Sequence, residues 1–214
     1  MRATVRSVNT GALSPVPGLR RGSAIRKQPQ PRIEVRRPGP RHDGLGSGVV
    51  GDEIGSRKHH GGDTKAVYAF AGEELDRWAA DLGRALPDGV FGENLTTRGL
   101  AVDDALVGET WRVGAALLEV CGPRIPCGTF AAHMGEAQWI RRFAARGRTG
   151  AYLAVREAGV IERGDPIEVV ERPGHDVTVP MVFRALMGDR DLSRQVLAAE
   201  VLWAEEHEWL AARR

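Results

Sequence analysis

The run Trp111-Arg112-Val113-Gly114-Ala115-Ala116-Leu117-Leu118-Glu119-Val120-Cys121-Gly122-Pro123-Arg124-Ile125-Pro126-Cys127 decides the reading of this chain. Its first part, Trp111 to Val120, places Val113, Ala115 and Leu117 on one face of a strand and Ala116, Leu118 and Val120 on the other. A strand apolar on both faces belongs inside a structure covered on both sides. The run then ends in a turn whose two prolines fix φ on either side of Arg124-Ile125, so the thiol of Cys127 is held in one direction. A nearby Arg124 favours the thiolate, the form that attacks or binds metal. Most free cysteines are small buried hydrophobes, but the proline frame and flanking glycines argue against a core position here. Cys121 ends the strand without such a frame and reads as structural.

Outward from this run, short strands and turns dominate. Arg2 to Asn9, Arg32 to Val35, Gly48 to Asp52 (with a tight turn), Tyr152 to Val155 and Ile167 to Val170 read as strands. Residues 11–31 hold Pro15, Pro17, Gly18, Gly22, Pro29 and Pro31 and predict a long irregular connection. Glu73 to Leu86 changes period, with Leu75, Trp78, Ala79, Leu82 and Leu86 at helical spacing, and Pro87 is the expected stop. Gln138 to Arg146 predicts a short helix. From Val179 onward, Met181 to Met187 and Leu192 to Ala212 predict a helical hairpin docked on the β-rich part, with Trp203 and Trp209 on one amphipathic run.

The 214 residues are 42% hydrophobic, enough for a full core, and 27% charged. A net charge of +2 and 6% aromatic residues argue against a nucleic-acid partner. No stretch reaches the roughly 18 apolar residues of a membrane span. Met1 to Arg6 lacks a hydrophobic signal core, and two cysteines make no disulfide framework. The expectation is a cytoplasmic protein, a monomer or homodimer.

Two further segments carry polar groups. Arg57-Lys58-His59-His60-Gly61-Gly62-Asp63-Thr64-Lys65, after Gly51-Asp52-Glu53, combines cations with paired glycines whose amides can approach an anion such as phosphate. The paired histidines could instead serve a divalent metal, although neighbours on a strand point to opposite faces. Phe91-Gly92-Glu93-Asn94-Leu95-Thr96-Thr97-Arg98-Gly99-Leu100 packs polar side chains between glycines, suited either to reading a ring system's heteroatoms or to holding a turn. P-loop, Gly-x-Gly-x-x-Gly, His-Glu-x-x-His and Gly-x-Ser-x-Gly signatures are absent.

In order and spacing, Gly51-Asp52-Glu53, His60-Gly61-Gly62 with Lys65, Gly92-Glu93-Asn94-Leu95 with Gly99-Leu100, and Pro123-Arg124-Ile125-Pro126-Cys127 resemble the MOSC domain, the family named for the C-terminal region of molybdenum cofactor sulfurase. The likeness spans roughly residues 2–172 and is strongest to stand-alone bacterial members. It implies a mainly β fold with some α, a distorted β-barrel over residues 1–174, followed here by a C-terminal helical segment over 175–214. It also implies a molybdenum cofactor of the molybdopterin type, with Cys127 as catalytic residue and molybdenum ligand. Lys58, His60, Lys65 and Arg124 would then hold the cofactor's phosphate and pterin, and Glu93, Asn94 and Thr96 would line the same site. Asp63-Thr64 stands where relatives often carry Pro-Asp. The activity implied is reduction of N-hydroxylated small molecules, with electrons from a separate flavin or iron–sulfur protein, since two cysteines cannot hold a cluster needing four. Sulfur transfer through a Cys127 persulfide and a carrier of the cofactor are the alternatives. Pyridoxal phosphate binding is a further family-level association.

Overall fold

The computed structural model describes residues 2–58 and 60–213, so His59 of the paired histidines lies outside the described residues. Strands and helices interleave along the chain. Strands β1 (Thr4–Thr10), β2 (Gln28–Gln30), β3 (Arg32–Val35) and β4 (Val67–Ala71) precede helix α1 (Gly72–Leu82), and β5 (Leu95–Arg98), β6 (Thr110–Val113) and β7 (Ala116–Pro123) follow it. Helices α2 (Gly128–Met134) and α3 (Trp139–Arg146) come next, then β8 (Ala151–Glu157), β9 (Gly159–Glu162) and β10 (Ile167–Glu171). The chain closes with α4 (Val179–Leu186), α5 (Arg190–Ala198) and α6 (Ala204–Ala211).

Eight strands form one sheet in the order β10-β6-β7-β8-β4-β5-β1-β2, and β3 pairs with β9 in a second ladder. All neighbours run antiparallel except β4 and β5. A parallel pair needs a crossover, and α1 with the following loop supplies it. Val5, Val8, Val67, Leu95, Trp111, Leu118, Leu153 and Ile161 are buried in one core beneath the sheet. The result is a mixed α/β fold with a large, mostly antiparallel sheet. The expected distorted barrel is not closed in this pairing, because the sheet runs out at β10 and β2. Strand β2 is only three residues long and contains Pro29, which lacks an amide for a further ladder. The two flanks do touch: Thr4 bridges Pro166, and the Ile167 amide donates to the Ala3 carbonyl at 2.9 Å.

Several expectations change in physical detail. The single strand over Trp111 to Val120 is a hairpin, with Val113 opposite Ala116 and Thr110 opposite Glu119. Gly114 sits at φ 53, and a β-carbon there would collide with Asp165 and approach the Val160 carbonyl oxygen at 2.9 Å. Within the run Val113, Ala116, Leu118 and Val120 are buried, whereas Ala115 at the turn is exposed and Leu117 is half-buried. Helix α1 stops at Leu82, not at Pro87, because Gly83 takes a left-handed conformation and its amide reaches back to Ala79 and Ala80. The C-terminal segment is three helices instead of a hairpin. They gather Val182, Ala185, Leu186, Val196, Leu197 and Leu210 into a cluster with Val107 and Val177.

Gly114→Ala is expected to lose about 1–3 kcal/mol of stability by urea unfolding, from positive φ plus the clash. Gly51→Ala, also at positive φ but with open space around it, is expected to lose clearly less. Equal losses would mean that the close approach at Gly114 contributes nothing.

Candidate functional site

Strand β7 delivers the chain to the site and ends at Pro123. Cys127 then stands in extended conformation (φ −135°, ψ 172°) just before α2, and its carbonyl accepts the Ala131 amide at 3.0 Å. Cys127 is partly buried, packed against the aromatic cluster that holds Phe91 and Phe130, whereas Cys121 lies in the middle of the sheet at 2% exposure. Burial pushes the Cys121 thiol well above its ordinary value, with Glu119 and Glu206 adding to the effect. Of the two thiols, Cys127 is the less buried.

Arg124 turns inward at 5% exposure. Its Nη1 donates to the Phe91 carbonyl, and its guanidinium lies 4.0 Å from the Phe130 ring centroid and 5.2 Å from that of Tyr68. Burial opposes the charge, while Tyr68, Tyr152 and Cys127 all lie close enough to act on it electrostatically. The expected proximity of Arg124 and Cys127 is thus present. Beneath them, Phe91 meets Phe130 at 5.2 Å and Trp139 at 5.6 Å, edge to face in both cases. That aromatic bed fixes the guanidinium plane.

Glu93, Asn94 and Thr96 are buried, at 0%, 4% and 0% exposure. Glu93 accepts from the amides of Gly89 (2.6 Å) and Phe91 (2.9 Å) and from the Thr96 hydroxyl (3.0 Å). Asn9 donates to Thr96 and to the Glu93 carbonyl, both at 3.2 Å. Asn94 accepts the Tyr68 amide and donates to Asp52, again both at 3.2 Å. Asp52 also accepts from the Gly11 amide at 2.8 Å and from Ser47 at 2.9 Å, and it pairs with the Lys27 ammonium. Through Phe91, whose amide serves Glu93 and whose carbonyl serves Arg124, this polar assembly connects to the Cys127 turn. Asn9, Lys27 and Tyr68 belong to it and carried no signal in the sequence; Lys27 sits in the proline-rich connection.

The cationic loop forms the other part of the candidate set. Lys58 is exposed, and His60 and Lys65 are half-buried, Lys65 closing a 3-10 turn over Asp63–Lys65. The Gly62 amide donates to the Gly46 carbonyl at 3.1 Å, and the Gly39 amide donates to Asp63 at 3.0 Å. The paired glycines therefore serve first to pack this loop against residues 39–46, and Asp63 caps the Pro38-Gly39-Pro40 turn. Thr64 donates to Glu206 of α6 at 2.8 Å.

Among the described residues, no group of three His, Cys, Asp or Glu side chains is placed to hold a metal ion. A half-buried soft thiol beside a buried guanidinium nevertheless fits a metal whose other ligands come from a sulfur-bearing cofactor. Pyridoxal phosphate fits poorly. The chain has three lysines, and the buried one, Lys27, is bound to Asp52 instead of offering a free amine for a Schiff base.

Two outcomes follow from the buried network. Burial raises the Glu93 carboxyl from 4.5 to about 7, against the three donors that favour its ionised form. An acid raised in the folded state stabilises below its unfolded value and loses that contribution as pH rises through its folded value. Unfolding free energy should therefore fall between pH about 4.5 and about 7 by on the order of 3 kcal/mol from Glu93. Asp103, raised to about 6, adds a smaller share. Urea unfolding at pH 5 and 7.5 should show a much shallower fall for Glu93→Gln; an unchanged fall would exclude Glu93 as its source. Asp52→Ala, which strands the Lys27 ammonium in the interior, is expected to cost about 3–5 kcal/mol in the same assay.

A family model for the MOSC domain matches residues 56–168, more than half of the chain. Among curated proteins, an uncharacterized protein, YflK, of Bacillus subtilis is 32% identical over 134 residues, covering 63% of this chain and 61% of that protein. Protein YiiM of Escherichia coli is 32% identical over 62% of this chain and 60% of its own length. A protein described as a reductase, from Gibberella moniliformis, is 32% identical over 73% of this chain but only 29% of itself. The chain thus spans about three fifths or less of these relatives. Among solved structures, YiiM from Geobacillus stearothermophilus superposes with a TM-score of 0.77 at 26% identity, over 99% of this chain and 98% of that one. With the family's motifs in order along the sequence and its domain matched across the centre of the sheet, the chain belongs to the MOSC domain family.

Proposed function

We propose that this protein binds a molybdenum cofactor of the pterin-dithiolene type, with Cys127 as the protein ligand to the metal, and reduces N-hydroxylated small molecules. The observation that carries this reading is the contrast between its two thiols: Cys121 is sealed in the sheet, and Cys127 is only partly buried beside the buried guanidinium of Arg124. The reductase relative supports the class of reaction, and the YiiM structure supports a fold shared over the whole chain.

When bound, the cofactor supplies the two-electron chemistry that removes the N–O oxygen. The chain's own part is positioning and charge. Cys127 offers a soft thiolate, and Pro123 and Pro126 restrict its direction. Arg124, pinned by the Phe91 carbonyl and the Phe130 ring, keeps positive charge beside that thiolate. His60 and Lys65, with Lys58 at the rim, are the groups for the cofactor's phosphate. Glu93, Asn94 and Thr96 act one layer below, holding residues 89–96 in shape. This reading treats residues 1–174 as the MOSC unit and 175–214 as an added helical segment. Electrons come from a separate flavin or iron–sulfur protein, and the cytoplasm is the compartment that keeps both thiols reduced.

The test is metal and pterin analysis of protein made in a host that synthesises the cofactor. Stoichiometric molybdenum is expected in the wild type and in Cys121→Ala, and loss of it in Cys127→Ala. Wild-type protein without metal, carrying cyanide-releasable sulfur on Cys127, would replace the reductase with a sulfur carrier. Molybdenum retained in Cys127→Ala would reject the ligand assignment.

A further inference from the structure

The C-terminal helices touch both halves of the candidate site. Ile125, inside the turn that presents Cys127, packs on their apolar cluster. On the other side α6 lies across the cationic loop. Arg41 pairs with Glu205, the Thr64 hydroxyl donates to Glu206 at 2.8 Å, and Lys65 acts electrostatically on the same Glu206 carboxylate. Trp203, just before α6, donates from its ring nitrogen to Glu119 at 3.1 Å and lies under Arg156.

Two features distinguish this seam from ordinary packing. First, α6 is held by little apolar surface, since Leu210 is its one buried residue. Its neighbours Ala204, Glu205, Glu208 and Trp209 are exposed or nearly so. Second, the polar contacts are incomplete. The Nε of Arg41 and the Oε2 of Glu206 are both buried without a hydrogen-bond partner. Buried polar atoms are normally satisfied, so a seam with one orphaned donor and one orphaned acceptor is poorly matched. Burial also raises the Glu206 carboxyl, with Thr64 and Lys65 opposing that shift.

A carboxylate on Thr64, Lys65 and Arg41 occupies the groups that an incoming phosphate needs: a hydroxyl donor, an ammonium and a guanidinium. We infer that α6 is an internal latch, its Glu205-Glu206 pair standing in for a phosphate on the loop formed by Arg41, Thr64 and Lys65, and that a phosphate-bearing ligand must displace it. The inference rests on the proposed role of the cationic loop as the cofactor's phosphate site, and it adds that this site is occupied by the chain's own acidic pair until a ligand competes. The poor match of the seam makes displacement inexpensive. Because Ile125 packs on the same helical cluster, release of α6 also loosens the support of the Cys127 turn.

The experiment uses the full chain and inorganic phosphate as probe, with chloride at matched ionic strength as reference. Isothermal titration should show at least tenfold tighter phosphate binding to Glu205→Gln/Glu206→Gln than to the wild type, and Thr64→Ala/Lys65→Ala added to that variant should abolish it. In the wild type, saturating phosphate should raise hydrogen exchange across residues 204–211 and leave β7 unchanged. Equal affinity in wild type and Gln variant, or no change in exchange at α6, overturns the latch. Phosphate binding in neither protein overturns both the latch and the anion role of the loop. Molybdenum on Cys127 is measured separately and survives that outcome, so the two readings fail by different results.

Discussion

The buried pair between Lys27 and Asp52 is the constraint on which the surrounding architecture depends. Asp52 gathers the Gly11 amide and Lys27 from one connection, Ser47 from its own, and Asn94 at the start of β5. Neither long connection, residues 11–31 or 36–66, has enough regular structure to hold itself. A single carboxylate that fastens them to the start of β5 gives both a fixed position. The interaction is non-local, desolvated and fully paired, a combination that is costly to half-build and stable once complete. Asn94 extends it to the sheet through the Tyr68 amide, so the polar centre and the β4–β5 step form one unit.

A second layer follows from the first. With residues 89–96 pinned by Glu93, the Phe91 side chain enters the aromatic cluster and its carbonyl is aimed at Arg124. The guanidinium then rests between that carbonyl and the Phe130 ring. Geometry near Cys127 is thus inherited from buried groups that never approach the thiol.

Much of this was legible from particular residues. Strand β3, helix α3 and the start of α1 coincide with their periodic patterns, and Cys121 is buried in the strand that it was read to end. What escaped has physical causes. Strand β4 is buried at all five positions and shows no alternation to read. The Gly114 turn hid within an apolar run because its neighbour Ala115 is itself apolar. Helix α2 is seven residues long, too short for periodicity to register. Glu93, Asn94 and Thr96 stand in an inward hydrogen-bond network, which polarity between glycines describes as well as an outward one. Lys27 had no local signal, since its partner lies far away in sequence.

The contact of Thr4 with Pro166 has a bearing on how the chain is made. Strand β1 pairs with β2 close by in sequence, but also with β5, and its start meets the segment leading into β10. The last two contacts close only when widely separated parts of the chain have come together. Topologies of this kind fold slowly and expose sticky strand edges while they wait. The flank of β1 that faces β10 is therefore the part of the sheet whose closure depends on contacts most distant in sequence.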